Sequence, residues 1–328
     1  MCGYDFREAY PNQPEVIRYD LNDTYSTGIF VDGLDKRLAK LDPKVPLFTY
    51  LSFQSVHSPL QAPKGFIDIY RNIKNRKRRN YNAMVTAMDK AVADVVRSYK
   101  KYDFWENTVL IFSSDNGGNM KAGASNWPLR GAKGTLYEGG VRSIGFVHSP
   151  LLPLNRMGTV SHNLMHVTDW FPTILHLAGC KGLDFGGKPL DGVSQVPALW
   201  SEINENYAIR NEILHALDPL SVAKQMKDPR GNWKANGGVL KDRSFKIQVS
   251  SALRMGKWKL HTGHAGATSG WGVPPTSLWG NATSIFDQIV LPESAYVDDV
   301  KADVKHLKEK VPDCEEEACP DAKPSRRR

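Results

Sequence analysis

The chain has 328 residues, of which 41% are hydrophobic and 24% charged, and its 43 basic and 35 acidic residues give a formal net charge of +8. These proportions exclude a mainly disordered chain, a collagen and a coiled coil, and they allow a large buried core. No apolar run approaches the length of about 20 residues that a spanning helix needs, so we expect no membrane span. The four cysteines exclude a disulfide-built scaffold. Because the first residues contain no apolar stretch, we expect no signal peptide in this sequence.

Much of the positive charge lies in two clusters. Residues 74–79 hold five basic side chains, and residues 326–328 are three arginines. Anionic substrates, anionic polysaccharides and nucleic acid are all compatible with this balance. We interpret the clusters as a solvated helix start and a frayed terminus. Because aromatic residues do not alternate with the first cluster, as they would on a base-stacking surface, we expect no nucleic-acid partner.

Apolar spacing and turn residues predict five elements in the first part of the chain. Residues 46–57 predict a buried strand, and 80–99 an amphipathic helix. Residues 108–115 contain four apolar residues in a row, which favours a strand buried on both faces of a mostly parallel sheet. Residues 141–147 predict a third strand, and 168–179 a helix that closes on glycine.

The helix at 80–99 carries one apolar stripe at three- and four-residue spacing. We expect this stripe to be core packing rather than a cofactor site. Its members are Met84, Met88, Ala91, Val95 and Tyr99.

The order of these elements predicts a doubly wound α/β domain over 1–199. Residues 244–263 alternate and turn like an antiparallel hairpin, so we expect a small antiparallel-sheet subdomain over 200–290. The remainder, 291–328, is predicted to be a helix around 298–310 followed by a disordered basic tail. Within that tail, Cys314 and Cys319 are close enough for a local disulfide.

Oxygen-bearing side chains follow the second predicted strand. Asp115 and Asn116 precede two glycines, and ligands of open α/β sheets bind beyond the carboxyl ends of strands. A carboxylate and an amide oxygen are hard ligands that suit Ca²⁺ or Mg²⁺. The same residues also form ordinary turns. The tetrapeptide alone therefore leaves both interpretations open.

A cationic, glycine-rich loop follows this turn and favours the binding interpretation. Arg130, Lys133 and Arg142 lie among four glycines. Such a loop suits an oxyanion, because the cations neutralise charge and the lysine is a mobile donor. His57, which ends the first predicted strand, could donate to the anion or protonate a leaving oxygen.

Together these segments resemble the type I sulfatase family, most closely its arylsulfatase B-like (N-acetylgalactosamine-4-sulfatase-like) branch. The resemblance implies an alkaline-phosphatase-like α/β fold, with a mostly parallel sheet flanked by helices and a small C-terminal antiparallel sheet. The matching motifs are SSDNGG, NWPLRGAKGTLYEGGVRSIGFVHSPLL, YLSFQSVHSPLQAP, MHVTDWFPTILHLAG and RMGKWKLHTG.

The resemblance also implies roles for single residues. Asp115 and Asn116 match two calcium ligands of the family, Lys133 matches the lysine that contacts the sulfate ester, and His57 matches a histidine at the sulfate or its leaving oxygen. The implied activity is calcium-dependent sulfuric ester hydrolysis. The implied substrate is a sulfated small molecule or glycan, such as a glycosaminoglycan, and the implied location is lysosomal or secreted. The sequons at Asn22 and Asn281 are weak support for a secreted glycoprotein.

Three family motifs have no match. The family carries a strand ending in two adjacent aspartates, a C-x-P-S-R motif whose cysteine becomes the formylglycine nucleophile, and a G-K-W-H-L-G-like segment with a further lysine and histidine. None of them occurs at the matching place. We therefore expect a truncated domain that lacks its N-terminal strands and is inactive alone. The alternatives are a non-catalytic relic that binds sulfated glycans and, as a third interpretation, a nucleic-acid-binding protein acting through 74–79.

Overall fold

A computed structural model describes residues 6–180, 187–200, 208–218, 250–262 and 265–266. All of them fall within one unit, Met1–Gln288. The helices are α1 Ser26–Leu38, α2 Lys64–Ile69, α3 Arg76–Lys101, α4 Glu138–Val141, α5 Trp170–Leu177 and α6 Val196–Trp200. The strands are β1 Arg7–Glu8, β2 Val16–Ile17, β3 Leu110–Ser113, β4 Gly145–His148, β5 Glu212–Asp218, β6 Ser250–Met255 and β7 Trp258–Thr262. Within the described ranges, no helix has the length and apolar character needed to cross a bilayer.

The predicted amphipathic helix is confirmed as α3, which is longer than expected. It begins at Arg76 because the Asn75 side chain caps it, accepting a hydrogen bond from the Arg78 backbone N–H at 3.1 Å. α3 packs against α1 and α2. Its fully buried residues are Ala83, Met84, Ala87, Ala91 and Ser98.

The apolar stripe of α3 is only partly core. Met84 and Ala91 are buried as predicted, whereas Met88, Val95 and Tyr99 line an open groove. Among the described residues, the main contacts of α3 are with helices and 3-10 turns rather than with a strand. The helix therefore has two apolar faces, of which one packs against other helices and one faces the groove.

The basic cluster at the start of α3 is not entirely solvated. Lys77 Nζ donates to the carbonyl of Lys121 at 3.1 Å, and Arg78 Nη1 donates to the carbonyl of Gly123 at 2.8 Å. Burial lowers the pKa of Arg78. Two of the five basic residues thus hold a loop, which corrects the expectation of a purely solvated cluster.

The two strands predicted at 108–115 and 141–147 are confirmed in shorter form, as β3 and β4. They pair antiparallel, with Phe112 opposite Phe146 and their rings stacked at 5.1 Å. Every strand pair in the described residues is antiparallel. β3 therefore differs from the predicted central strand of a parallel run, because the chain folds back on itself between the two strands.

The predicted strand at 46–57 is wrong. This segment forms neither helix nor strand, and Phe48 and Tyr50 are 69% and 83% exposed. No backbone hydrogen bond joins residues 46–53 to any strand in the part of the chain that the structure describes. Strand-type sequence forms a strand only when a neighbour pairs with it, and here no described neighbour does.

The predicted C-terminal hairpin is confirmed over its described part. β6 and β7 pair antiparallel across a turn at Gly256 (φ +51°), and β5, which the sequence pattern did not predict, adds to β6 to give the order β5-β6-β7. Ile213, Ala252 and Leu253 are buried. Residues 244–249, the predicted helix at 298–310, the tail and Cys314 and Cys319 lie outside the described residues. The three domain boundaries remain predictions.

The predicted helix at 168–179 is confirmed as α5, preceded by a short 3-10 turn over Val167–Asp169. Gly179, with φ +71°, follows its C-terminal end. Asp169 is completely buried, and Arg210 donates to both of its oxygens, at 2.5 and 2.9 Å. The backbone N–H groups of His166 and Val193 and the Gln195 amide donate to the same carboxylate.

This arrangement, the Asp169 clasp, ties α5 to the segment leading into β5. Burial acts to raise the pKa of Asp169, but the hydrogen bonds from Arg210 and the two backbone N–H groups hold it below its ordinary value. The carboxylate therefore stays charged and paired in the interior.

Candidate functional site

The turn after β3 holds Asp115 and Asn116 through its own backbone. Asp115 Oδ1 accepts from the Asn116 N–H at 2.8 Å, and Asn116 Nδ2 donates to the Gly117 carbonyl at 2.9 Å. The Gly117 N–H in turn donates to the Gly140 carbonyl at 2.9 Å. A Cβ at Gly117 would lie 1.7 Å from the Gly139 carbonyl oxygen, so only glycine fits here.

Asn126 joins this turn to the glycine-rich loop. Its Oδ1 accepts from the Gly118 N–H at 2.8 Å, and its Nδ2 donates to the carbonyls of Gly118 at 2.9 Å and Gly131 at 3.3 Å. The Lys133 N–H also donates to the Gly118 carbonyl at 3.2 Å. The Asn126 side chain thus both donates to and accepts from the backbone of the turn. These hydrogen bonds fix the position of the start of the glycine-rich loop. Sequence reasoning missed this residue, although its place directly before Trp127 in the loop motif was a signal.

Lys133 lies exposed on the loop between two glycines with φ of +84°, Gly131 and Gly134. Within the described ranges no hydrogen bond or ion pair engages its Nζ, which leaves the ammonium available to an anion. Arg130, by contrast, stacks over the Tyr137 ring with its guanidinium carbon 4.1 Å from the centroid. The two cations of the loop therefore differ, since one is held against a ring and the other extends into solvent.

His57 lies in a loop rather than at a strand end. Its Nδ1 is 2.8 Å from the Ser58 carbonyl, which can only accept, so Nδ1 carries the proton. In the neutral ring Nε2 is then the acceptor. His57, Asp115, Asn116 and Lys133 all line one groove of about 3760 Å³.

A second polar cluster holds the loop from its other side. Glu138, at the start of α4, accepts from Arg254 of β6 at 2.5 Å and from Lys259 of β7 at 2.8 Å. Burial acts to raise the pKa of Glu138, but the hydrogen bond and charge of Lys259 together with the charge of Arg254 lower it. We call this set the Glu138 clamp. Sequence reasoning missed it, because Arg254 and Lys259 lie more than 110 residues from Glu138 along the chain.

Two histidines adjoin the Glu138 clamp. His261 stacks against Tyr137 with ring centroids 4.9 Å apart, and His215 lies at the register shift in β5. Burial, followed by the charge of Lys259, lowers the pKa of both to about 4. His215 Nε2 and His261 Nδ1 are buried, and neither has a hydrogen-bond partner among the described residues. Both rings are therefore neutral at pH 7.

The donor set at the turn can be compared with what a cation needs. Asp115 and Asn116 offer a carboxylate and an amide oxygen, which are the ligand types of Ca²⁺, but Ca²⁺ takes about 6–8 oxygens. No group of three or more His, Cys, Asp or Glu with metal-binding geometry occurs among the described residues. Asp115 and Asn116 therefore have the right ligand type for Ca²⁺, but they supply too few oxygen atoms to complete its coordination sphere.

The Sulfatase family model matches residues 2–180 of this chain, which is the stretch that contains His57, the Asp115 turn and the glycine-rich loop. The chain belongs to the sulfatase family.

Individual relatives agree with this assignment. Arylsulfatase J of Mus musculus is 44% identical over 279 residues, covering 85% of this chain and 43% of that protein. N-acetylgalactosamine-6-sulfatase of Sus scrofa is 31% identical over 159 residues, covering 47% of this chain and 28% of that protein. The chain thus spans less than half the length of these relatives. The arylsulfatase B-like branch remains a prediction.

A solved structure gives the same assignment at the level of the fold. The crystal structure of Ps i-CgsB in complex with k-i-k-neocarrahexaose is similar, with a TM-score of 0.54 and 30% identity over 72% of this chain and 45% of that one. The predicted alkaline-phosphatase-like α/β fold with a small C-terminal antiparallel sheet is confirmed.

Proposed function

We propose that this chain is the sulfate-binding part of a sulfuric ester hydrolase of the arylsulfatase type. The observation that carries the proposal is the unengaged ammonium of Lys133 in the groove that His57, Asp115 and Asn116 also line. A sulfate ester carries negative charge that grows on the leaving oxygen as the S–O bond breaks. A mobile cation and a histidine donor suit those two positions.

Each residue has a distinct task in this proposal. Lys133 Nζ neutralises a sulfate oxygen, and the Asn126 hydrogen bonds fix the loop that carries it. The Ser58 carbonyl orients the His57 ring, and the protonated ring donates from Nε2 to the departing alcohol oxygen. In the net reaction water adds to sulfur, and the products are an alcohol and sulfate.

Calcium is the metal that we propose for the turn. Asp115 and Asn116 would hold it through their side-chain oxygens, and the ion would supply positive charge beside the sulfate. Further oxygen ligands must come from elsewhere, because two oxygens do not fill the sphere. The formylglycine motif has no match in this sequence, so we propose that the chain alone binds sulfate esters and does not turn them over.

We propose a sulfated glycan as the substrate class, and a lysosomal or secreted location. Support comes from the name of one relative, an N-acetylgalactosamine-6-sulfatase, and from the neocarrahexaose with which Ps i-CgsB was crystallised. The groove volume of about 3760 Å³ leaves room for a chain-like sugar. The +8 net charge of the protein favours an anionic ligand.

Calorimetric titration with N-acetylgalactosamine 4-sulfate tests the proposal. We expect binding to the wild-type chain, a loss of about tenfold or more in affinity for Lys133→Ala, and no change for Lys64→Ala, whose side chain is 90% exposed on α2. Equal affinity of the two variants would contradict the role of Lys133. A parallel assay with 4-nitrophenyl sulfate and calcium should show no turnover. Turnover that disappears in His57→Ala would show that the chain alone is active.

A further inference from the structure

Trp127 presents an exposed indole in the groove that the site residues line. It is 46% exposed and borders the groove together with Asn126 and Lys133. Among the described residues, no hydrogen bond engages its Nε1–H, and no ring or cation stacks on its indole. Trp258 differs, because Lys257 Nζ lies 5.2 Å from its ring centroid. A large aromatic surface that lies bare in a concave site is available for a ligand to stack on.

The backbone around Trp127 is held by hydrogen bonds on both sides. The Leu129 N–H donates to the Asn126 carbonyl at 2.8 Å, which closes a four-residue turn with Trp127 at its second position. The Asn126 side chain is anchored by its hydrogen bonds to Gly118 and Gly131. Trp127 therefore lies at the tip of an anchored turn. A ligand that stacks on it meets a residue whose backbone is already fixed, which lowers the entropy cost of binding.

One carbonyl group places Trp127 close to the proposed sulfate-binding cation. The Gly118 carbonyl accepts from the Asn126 side chain at 2.9 Å and from the Lys133 N–H at 3.2 Å. Because Asn126 directly precedes Trp127, the indole and the ammonium extend from neighbouring points of the loop. Both side chains are exposed and line the same groove. A flat apolar surface thus adjoins a positive charge.

This combination matches the chemistry of a sulfated sugar. A pyranose ring has C–H groups on its faces that pack against an aromatic ring, and its sulfate group carries negative charge. Asn119 and Ser125 line the groove beside Gly118 and Asn126 in sequence, and their amide and hydroxyl groups suit sugar hydroxyls. An apolar polypeptide segment would use the indole but would leave the ammonium without a counter-charge. The charge therefore favours a sulfated sugar as the occupant.

We propose that Trp127 binds the C–H face of the sugar ring that carries the sulfate group. Lys133 Nζ holds the sulfate while the indole lies against the ring. Trp127 is then a specificity residue, because it makes the site prefer a sugar sulfate to a sulfate ester without a ring. The inference rests on the proposed function, from which it takes the position of the sulfate at Lys133.

Calorimetric titration of the full chain with two probes tests the proposal. The first probe is N-acetylgalactosamine 4-sulfate, and the second is methyl sulfate, a sulfate ester without a ring. We expect Trp127→Ala to weaken binding of the sugar sulfate by about five- to tenfold, because it removes the stacking surface. The same variant should bind methyl sulfate like the wild type. Trp127→Phe keeps an aromatic ring and should retain most of the affinity for the sugar sulfate.

A matched control and a second measurement separate stacking from a structural role. Trp258 is 56% exposed on β7 and does not line the groove, so Trp258→Ala should leave both affinities unchanged. Circular dichroism melts check that each variant is folded. In saturation-transfer NMR of the wild type, protons on one face of the sugar ring should receive the most saturation. Trp127→Ala should remove that selectivity.

Lys133→Ala distinguishes failure of this proposal from failure of the proposed function. If Lys133→Ala weakens binding of both probes and Trp127→Ala weakens neither, the sulfate site stands and the proposal for Trp127 is wrong. If Trp127→Ala weakens both probes equally, the indole acts through the loop and not through a sugar ring, which also overturns the proposal. If Lys133→Ala weakens neither probe, the proposed function fails, and the role of Trp127 fails with it.

Discussion

Two sets of side chains, which we call the polar side and the groove side, obey opposite rules. The polar side consists of two buried or half-buried carboxylates that have partners: the Asp169 clasp satisfies one carboxylate with four residues, and the Glu138 clamp satisfies another with two. On the groove side, aromatic and aliphatic side chains such as Tyr50 and Phe171 are exposed. The comparison shows that carboxylates removed from water are paired, whereas apolar side chains of the same unit remain exposed.

The largest expected effect breaks the polar side. Asp169→Ala leaves Arg210, whose side chain is 17% exposed, without its carboxylate, and removing one member of a buried pair costs about 3–5 kcal/mol of unfolding free energy. Tyr50→Ala is the matched change on the groove side. Since Tyr50 is 83% exposed, that variant should stay within about 0.5 kcal/mol of wild type. Urea unfolding of both variants measures the difference, and similar losses would refute the contrast between the two sides.

A smaller effect is expected at the turn that carries the site. Gly117→Ala places a Cβ 1.7 Å from the Gly139 carbonyl oxygen, and forced overpacking of this kind costs about 1–3 kcal/mol. Gly33→Ala in α1, where nothing lies within 4 Å, should instead stabilise the protein by about 0.5–1 kcal/mol. Thermal melts compare the two alanines. If both alanine variants shift the Tm in the same direction, the close contact between position 117 and the Gly139 carbonyl does not explain why glycine is needed there.

A separate effect is a pH dependence caused by the two histidines beside the Glu138 clamp. The folded pKa of His215 and His261 is about 4, whereas in the unfolded chain a histidine has a pKa near 6.5. Between these values the unfolded state binds more protons, so the unfolding free energy falls as the pH is lowered from 6.5 towards 4. The pKa values of Glu138 and Asp169 are lowered, so these carboxylates stay charged through that window.

Melts from pH 7.5 to 4.5 check this dependence. The double variant His215→Gln, His261→Gln should show a flatter curve than wild type. His162→Gln changes an exposed histidine and should leave the slope unchanged. A wild-type slope that survives in the double variant would assign the dependence to other groups.

Local patterns in the sequence predicted local structure correctly. Helix α3 and the β6–β7 hairpin follow from apolar spacing and turn residues, which act over a few positions. The resemblance to the sulfatases led to the turn at Asp115 and the loop at Lys133 in the same way, because each motif is continuous in sequence.

Features that depend on distant partners escaped prediction. The segment 46–57 has the composition of a strand, but pairing decides whether it becomes one, and no described strand pairs with it. The antiparallel direction of β4 depends on the path of the loop that precedes it. The spacing of apolar residues in the sequence does not determine that path. Asn126 and Glu138 were missed because the partners of a polar side chain are set by the tertiary fold. The sequence around each residue does not reveal which backbone groups or charged side chains it will contact.

The Asp169 clasp has a further consequence in the kinetics of unfolding. Its ligands lie up to 41 residues from Asp169 along the chain, so it forms only after α5 and the segment before β5 have come together. Contacts absent from the folding transition state slow unfolding without speeding folding. We therefore expect the clasp to lengthen the lifetime of the native state and to have little effect on the folding rate.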